Sequence, residues 1–366
     1  MGYYPGLDGL RGVAIALVVA DHLCPRDSQF PGYVGVDVFF VLSGFLITTL
    51  LLAEWEQGHG IDLRRFYRRR LRRLYPALLV LLVGLLPAGA AVFGLQFYIA
   101  AALSAATYMT NFVVGIGHIH TGPFLHTWSL AQEEQFYLAW PLVLLLCLKK
   151  RVPLAFASMG LVLLAFVSWF EPEFTGAPGY LGGFRPDLRA SGILIGCALA
   201  LWLRLHDRMP VRRASMLGAT GGLVGAGAVV AWSLARVAIP VPGLLQMLVC
   251  AGTSGVIVAA VHAPTAWASR TLALGPIRGL GQISYSLYLW HFAIFKLLFT
   301  EGVSIPLVIA VGVPASVALA ILSRRYVELP FLRGAPEGRR TSRTIARSPS
   351  LPSPPVEMAN LARADV

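Results

Sequence analysis

Apolar residues gather in long runs separated by short polar connections. The runs are approximately Gly9–Leu23, Val34–Leu52, Ala77–Phe93, Phe97–Val114, Leu130–Leu148, 152–170, 188–205, 214–235, 244–262, 280–299 and 304–323. Runs near 20 residues have the length a helix needs to cross a bilayer. The chain therefore reads as an all-α integral membrane protein, with one membrane domain over residues 1–333. From Gly334 to Val366 the sequence is rich in Pro, Ser and Arg with little to bury, and the expectation there is a disordered cytoplasmic tail. The opening MGYYPGLDGLRG has neither a positive n-region nor a small-residue cleavage site, so the first run is expected to be a retained span.

Composition narrows the class further. Of the 366 residues 56% are hydrophobic and 13% charged, with a mean hydropathy of +0.68, whereas globular proteins average about 25% charged residues. This excludes an ordinary soluble enzyme, a secreted disulfide scaffold or a chain disordered along most of its length. Cys24, Cys147, Cys197 and Cys250 have no CxxC spacing and no paired His, so no zinc site or disulfide framework is implied and no metal is expected. The formal net charge of +12 points toward nucleic acid only until its placement is seen. Arg64, Arg65, Arg68, Arg69, Arg70, Arg72 and Arg73 fill one connection, and other basic clusters sit at Lys149–Arg151, Arg204–Arg213 and Arg324–Arg325. Such clusters between spans mark the cytoplasmic side, so charge reports topology and no nucleic-acid partner is expected.

Topology then meets a parity conflict. With the N-terminus inside, the arginine-rich loop is cytoplasmic, but if both runs between Ala77 and Val114 crossed, every later basic loop would lie outside. The Phe97–Val114 run is the weaker, holding Ser104, Thr107, Tyr108, Thr110 and Asn111. The expected architecture is a bundle of about ten transmembrane helices plus one re-entrant or interfacial helix on the outer side, with both termini cytoplasmic.

Ionisable residues inside spans are expensive and tend to mark function. Arg11 and His22 lie eleven residues apart, which places them about 20° apart around a helix and roughly 16 Å apart along it. Asp8, three residues before Arg11, is expected to pair with it. Asp37 falls just inside the outer face of the second span, near the level of His22, and shares a face with Gly44 and Thr48; Ser43 and Gly44 permit close helix packing. Glu133 and Glu134 sit in the first turns of HTWSLAQEEQFYLAWP, and spacing alone does not choose between them. Ser284, Tyr288 and His291 share a face within about 60°, and His291 reads equally as a buried structural histidine or a catalytic one. The run FYRRRLRRLYP carries more arginines than topology requires; they suit either a multi-phosphate ligand or anionic lipid headgroups.

Taken in order, GLDGLRGVAIALVVADH, GVDVFFVLSGFLIT, FYRRRLRRLYP, HTWSLAQEEQFYLAWPL, ISYSLYLWHF and RRYVELPF resemble the membrane-bound acyltransferase 3 family over about residues 3–332. The resemblance implies a bacterial inner-membrane enzyme that moves an acyl group, often acetyl, onto a hydroxyl of a polysaccharide, glycolipid or macrolide. By position it implies Arg11 and His22 as the essential first-helix pair, and Arg69, Arg70 and Arg73 as the donor-binding basic motif. Glu134, with Glu133 beside it, and Asp37 match the family's acidic positions. Gln132 stands where most members have a small apolar residue. No appended hydrolase-like domain is expected, and the membrane domain is expected to act alone.

Thioester chemistry needs no nucleophilic Ser or Cys, and no convincing GxSxG or Cys/His pair is present. The expected mechanism has the arginine loop holding the phosphates of cytosolic acyl-CoA, which is a co-substrate, no cofactor being implied. Arg11 guides the pantetheine arm inward. His22 deprotonates the acceptor hydroxyl from the outer side, with Asp37 or a nearby Glu stabilising its imidazolium form; direct transfer and an acyl-His intermediate are both open at this point. The competing class is a transporter in which the same groups form a proton relay.

Overall fold

Each of the eleven apolar runs is mainly helical over its described residues in the computed structural model. It describes residues 3–24, 30–115, 117, 119–175, 190–206, 209–234 and 242–333, and among these there is no β-strand. The expected tail from Gly334 onward lies outside the described residues. In chain order the helices are α1 (Pro5–Leu23), α2 (Val34–Glu54), α3 (Leu63–Gly84), α4 (Leu86–Phe93), α5 (Leu95–Ala106), α6 (Thr110–Gly115), α7 (Thr127–Lys149) and α8 (Leu154–Thr175). They continue with α9 (Ser191–Leu205), α10 (Val211–Leu234), α11 (Pro242–His262), α12 (Trp267–Leu272), α13 (Gly275–Gln282) and α14 (Ser284–Thr300). The last, α15, is the continuous helix Ile305–Leu332, with π-helical turns at Val308–Gly312 and Arg324–Glu328.

Among the described residues four helices are long and apolar enough to cross a membrane, including α2, α10 and α15, and a fifth crossing is available if α3 and α4, bent by 52°, form one broken span. This is the pattern of an all-helical multi-pass membrane protein. α1 and α7 have 19 and 23 residues, so length does not keep them out of that group; the polar residues of the site do. α8 and α10 present large apolar side chains outward, among them Phe156, Leu163, Val167, Leu223 and Leu234. Helices apolar on all sides belong in lipid.

The Phe97–Val114 run is two pieces rather than one helix. α5 has 12 residues, about 18 Å, and stops where Tyr108 takes φ +54°. The Tyr108 N–H donates to the Ala105 carbonyl (3.2 Å) and the Met109 N–H to the Ser104 carbonyl (2.8 Å), the bond pair that closes a helix through a left-handed residue. α6 is then tied to α7 by a reciprocal amide pair: Asn111 Nδ2 donates to Gln135 Oε1 (3.0 Å) and Gln135 Nε2 to Asn111 Oδ1 (2.9 Å). Neither piece is long enough to cross a membrane.

Small residues bring the helices that carry the site into contact. A Cβ on Gly281 of α13 would stand 1.7 Å from the Asp8 carbonyl, and one on Gly12 would stand 2.2 Å from the Ile277 carbonyl, so α1 and α13 meet backbone to backbone. The close packing expected at Gly44 is present: a Cβ there would lie 2.1 Å from the Ile193 carbonyl of α9. α3 begins with the Asp62 side chain accepting from the Arg65 N–H (2.9 Å), an N-cap that starts the basic helix.

Candidate active site

A cavity of about 260 Å³ lies among α1, α2, α3, α7 and α14, and both its polar groups and its apolar wall come from the expected motifs. α1 contributes Arg11, α3 Arg70 and Arg73, α7 Ser129, Glu133 and Tyr137, and α14 Ser284, Tyr285 and Tyr288, while the apolar wall is α2 from Val36 to Leu50.

Each charged group at this end has a distinct setting. Arg11 donates from Nε (3.2 Å) and Nη2 (3.1 Å) to the Ser284 hydroxyl. The expected Asp8–Arg11 pair does not form. Asp8 accepts from the Tyr3 hydroxyl (2.7 Å), which lifts the Tyr3 phenol above its ordinary pKa, and Ser284 is closer to hand for the guanidinium. Arg70 is clamped: Nη2 donates to Glu134 Oε1 at 3.2 Å, and Cζ lies 3.3 Å from the Tyr137 ring centroid, a cation–π contact. Arg73 lines the same cavity, is exposed, and has no hydrogen-bond or ion-pair partner among the described residues. Arg69 goes elsewhere, to Glu54 at 3.8 Å. The two glutamates separate cleanly. Glu133 faces the cavity and accepts from Ser43 Oγ (2.9 Å), whereas Glu134 is outside the lining and serves Arg70.

Histidines form the other half of the site. His22 Nδ1 lies 3.2 Å from His291 Nε2, and His291 Nδ1 lies 2.8 Å from the Leu287 carbonyl one turn back. His126, 2% exposed, brings its ring centroid to 5.9 Å from that of His291, and Phe292 lies 4.8 Å from both His22 and His126. Between this cluster and the arginine cavity stands Tyr288. Its hydroxyl donates to the His126 carbonyl (2.5 Å) and accepts from Ser129 Oγ (2.6 Å). Both Tyr288 and Ser129 are cavity-lining, so they are the boundary between the two halves.

Asp37 is buried, 1% exposed. Asp37 lies seven residues before Gly44, hence on the same face of α2, and that face packs on α9: a Cβ at Gly192 would sit 3.3 Å from the Asp37 carbonyl. His126, Ser129 and Tyr137 were not singled out by sequence, and Ser43 was read there only as a packing residue. The signal was present in α7, because residues 126, 129, 133 and 137 share one stripe at helical spacing. Among the described residues no group of three or more His, Cys, Asp or Glu is arranged to hold a metal ion.

Comparison with known proteins bears on the same residues. Residues 4–325 match the family model described as an acyltransferase domain, the acyltransferase 3 model. The chain belongs to the acyltransferase 3 family. Among curated relatives, the peptidoglycan O-acetyltransferase OatA of Listeria monocytogenes is 33% identical over 361 residues, covering 90% of this chain and 56% of that protein. YrhL of Bacillus subtilis, which bears the same activity name provisionally, is 33% identical over 352 residues, with 90% and 55% covered. A Staphylococcus aureus protein provisionally named an O-acetyltransferase is 32% identical over 353 residues, with 90% and 58% covered. The chain thus spans somewhat over half the length of these relatives. No solved structure matches it. The acyltransferase 3 match runs from the Tyr4 end of α1 into α15 and so includes every group of the cavity and of the histidine cluster.

Proposed function

We propose that the protein is a membrane-embedded O-acyltransferase that moves an acyl group, first of all acetyl, from cytosolic acyl-CoA to a hydroxyl of a carbohydrate acceptor. The observation that carries this reading is the layout of one continuous stripe: three guanidiniums around a cavity, the Tyr288–Ser129 boundary, then His22 with His291 and His126. The cavity is smaller than the roughly 300–1,000 Å³ of whole-ligand clefts, which suits an acyl-pantetheine arm with its nucleotide left outside. Arg73, unpartnered at the cavity wall, is the group free to take a phosphate; the exposed Arg64, Arg65, Arg68 and Arg69 of the same helix line its approach. The roughly 16 Å from Arg11 to His22 is about what an extended pantetheine arm covers.

In the reaction, His22 takes the proton of the acceptor hydroxyl as its oxygen attacks the thioester carbonyl. The new C–O bond forms, the C–S bond breaks, and the departing thiolate recovers the proton from His22. Peptidoglycan, named for the Listeria relative, makes a cell-wall sugar hydroxyl the first acceptor to try, ahead of glycolipid and macrolide hydroxyls.

The reading places the protein in a bacterial inner membrane with ten crossings, both termini cytoplasmic and α5–α6 kept to the outer side. Helix directions support that count. Arg11 touches Ser284 and His22 touches His291, so α1 and α14 run parallel. Tyr67 reaches Leu138 while Arg70 reaches Glu134, so α3 and α7 run antiparallel. Both relations fit an even number of crossings, here none, between the α3–α4 span and α7.

Acetyl-CoA binding by purified protein in detergent tests the donor site. Arg73→Glu is expected to weaken it by about tenfold to a hundredfold, the worth of a charge-assisted hydrogen bond; equal binding by wild type and variant overturns the clamp. A proton-relay transporter or a lipid scaffold predicts no acetyl-CoA binding at all.

A further inference from the structure

We propose that His291 is a positioning residue that fixes the tautomer of His22, so that the lone pair available for catalysis is on His22 Nε2. The inference rests on the reading of His22 as the base and adds which nitrogen does the work and what holds it there.

The argument is a chain of donor and acceptor requirements. His291 Nδ1 stands 2.8 Å from the Leu287 carbonyl. A carbonyl oxygen only accepts, and two lone pairs facing at that distance would repel, so Nδ1 carries a proton and donates. His291 is 0% exposed and has no carboxylate among its contacts. A second proton would leave an unpaired buried charge, so the ring is uncharged and its Nε2 is an acceptor. That Nε2 lies 3.2 Å from His22 Nδ1, which must therefore be the protonated nitrogen of His22. Neutral imidazole carries one N–H, so the lone pair of His22 is on Nε2. The backbone carbonyl of Leu287 thus sets the protonation of two rings in series; the Val18 carbonyl, one turn before His22, also draws a His22 N–H, and the His22 ring cannot turn over without losing its bond to His291.

The arrangement also favours the transition state. When His22 takes the acceptor proton on Nε2, its Nδ1–H to His291 bond becomes charge-assisted and strengthens, an interaction larger in the transition state than in the ground state. His126, the third ring, makes no hydrogen bond to His22 among the described residues, so it does not compete for the His22 proton in this geometry.

The test is ¹⁵N NMR of histidine-labelled protein in detergent, with the His22 signals identified by their loss in His22→Ala. Wild type is expected to show His22 with a protonated-type Nδ1 and an unprotonated-type Nε2. His291→Gln keeps an acceptor near the position of Nε2 and is expected to keep that pattern and most of kcat. His291→Met removes the acceptor; His22 should then show mixed tautomers, with kcat lowered at least about tenfold, the loss of one charge-assisted bond, at unchanged KM for acetyl-CoA. A wild-type His22 protonated on Nε2 overturns the proposal, as does a His291→Met spectrum that leaves the His22 pattern unchanged. If His291→Met does not fold, the wild-type spectrum still decides. Wild-type turnover by His22→Ala would instead remove the base assignment, a failure separate from that of the tautomer.

Discussion

Arg70 and Arg73 are three residues apart on one helix, line one cavity, and differ in what holds them. Arg70 is paired with Glu134 and stacked on Tyr137, whereas Arg73 has no partner among the described residues. Arg70→Ala is expected to lower stability by about 3 kcal/mol, because it strands the Glu134 carboxylate. Arg73→Ala should change stability by less than about 0.5 kcal/mol yet weaken acetyl-CoA binding. Thermal unfolding in detergent beside a binding isotherm checks both. The stripe from Arg11 to His22 was legible from the helical repeat alone, because both ends lie on one unbroken helix. Partner choice was not. Asp8 is within reach of Arg11 by spacing, but Tyr3 takes it; Arg69 fits the basic motif as well as Arg70, but Glu54 draws it away. Likewise Glu133 and Glu134 are indistinguishable until residues 126, 129 and 137 fix which face of α7 lines the cavity.

At the scale of elements, the site depends on how closely α1 approaches α13 and α14. Gly281 has no room for a Cβ against the Asp8 carbonyl. Gly281→Ala is therefore expected to push α1 outward, costing about 1–3 kcal/mol and loosening the Arg11–Ser284 bond. A drop in unfolding temperature together with reduced acetyl-CoA turnover is the expected outcome, and a variant with unchanged stability would show that the backbones are not in contact. The long apolar runs announced their helices because a bilayer demands them. The split of Phe97–Val114 into α5 and α6 was not legible, since Tyr108 is an uncommon choice for a left-handed turn residue. The placement of Asp37 was partly legible: its shared face with Gly44 follows from the helical repeat, but only the fold shows that this face meets α9.

For the whole molecule, the proposed ten crossings would put the two halves of the site at different depths, the arginine cavity toward the cytoplasm and the histidine cluster toward the outside. In a cysteine-free background, His120→Cys is expected to react with a membrane-impermeant maleimide on intact cells, and Arg151→Cys only after permeabilisation; labelling of Arg151→Cys from outside would mean that the α5–α6 region crosses. On the proposed reading, the carrier of the acyl group and its acceptor need never meet in one compartment: the thioester arm would enter through the arginine cavity and the hydroxyl would come to His22. The most direct test of that account is the rate of thioester loss from acetyl-CoA by purified wild type and His22→Ala with a panel of sugar hydroxyl acceptors. The account predicts at least tenfold stimulation of the wild type by some acceptor, with the variant at background. Equal thioester loss by the two proteins would contradict it.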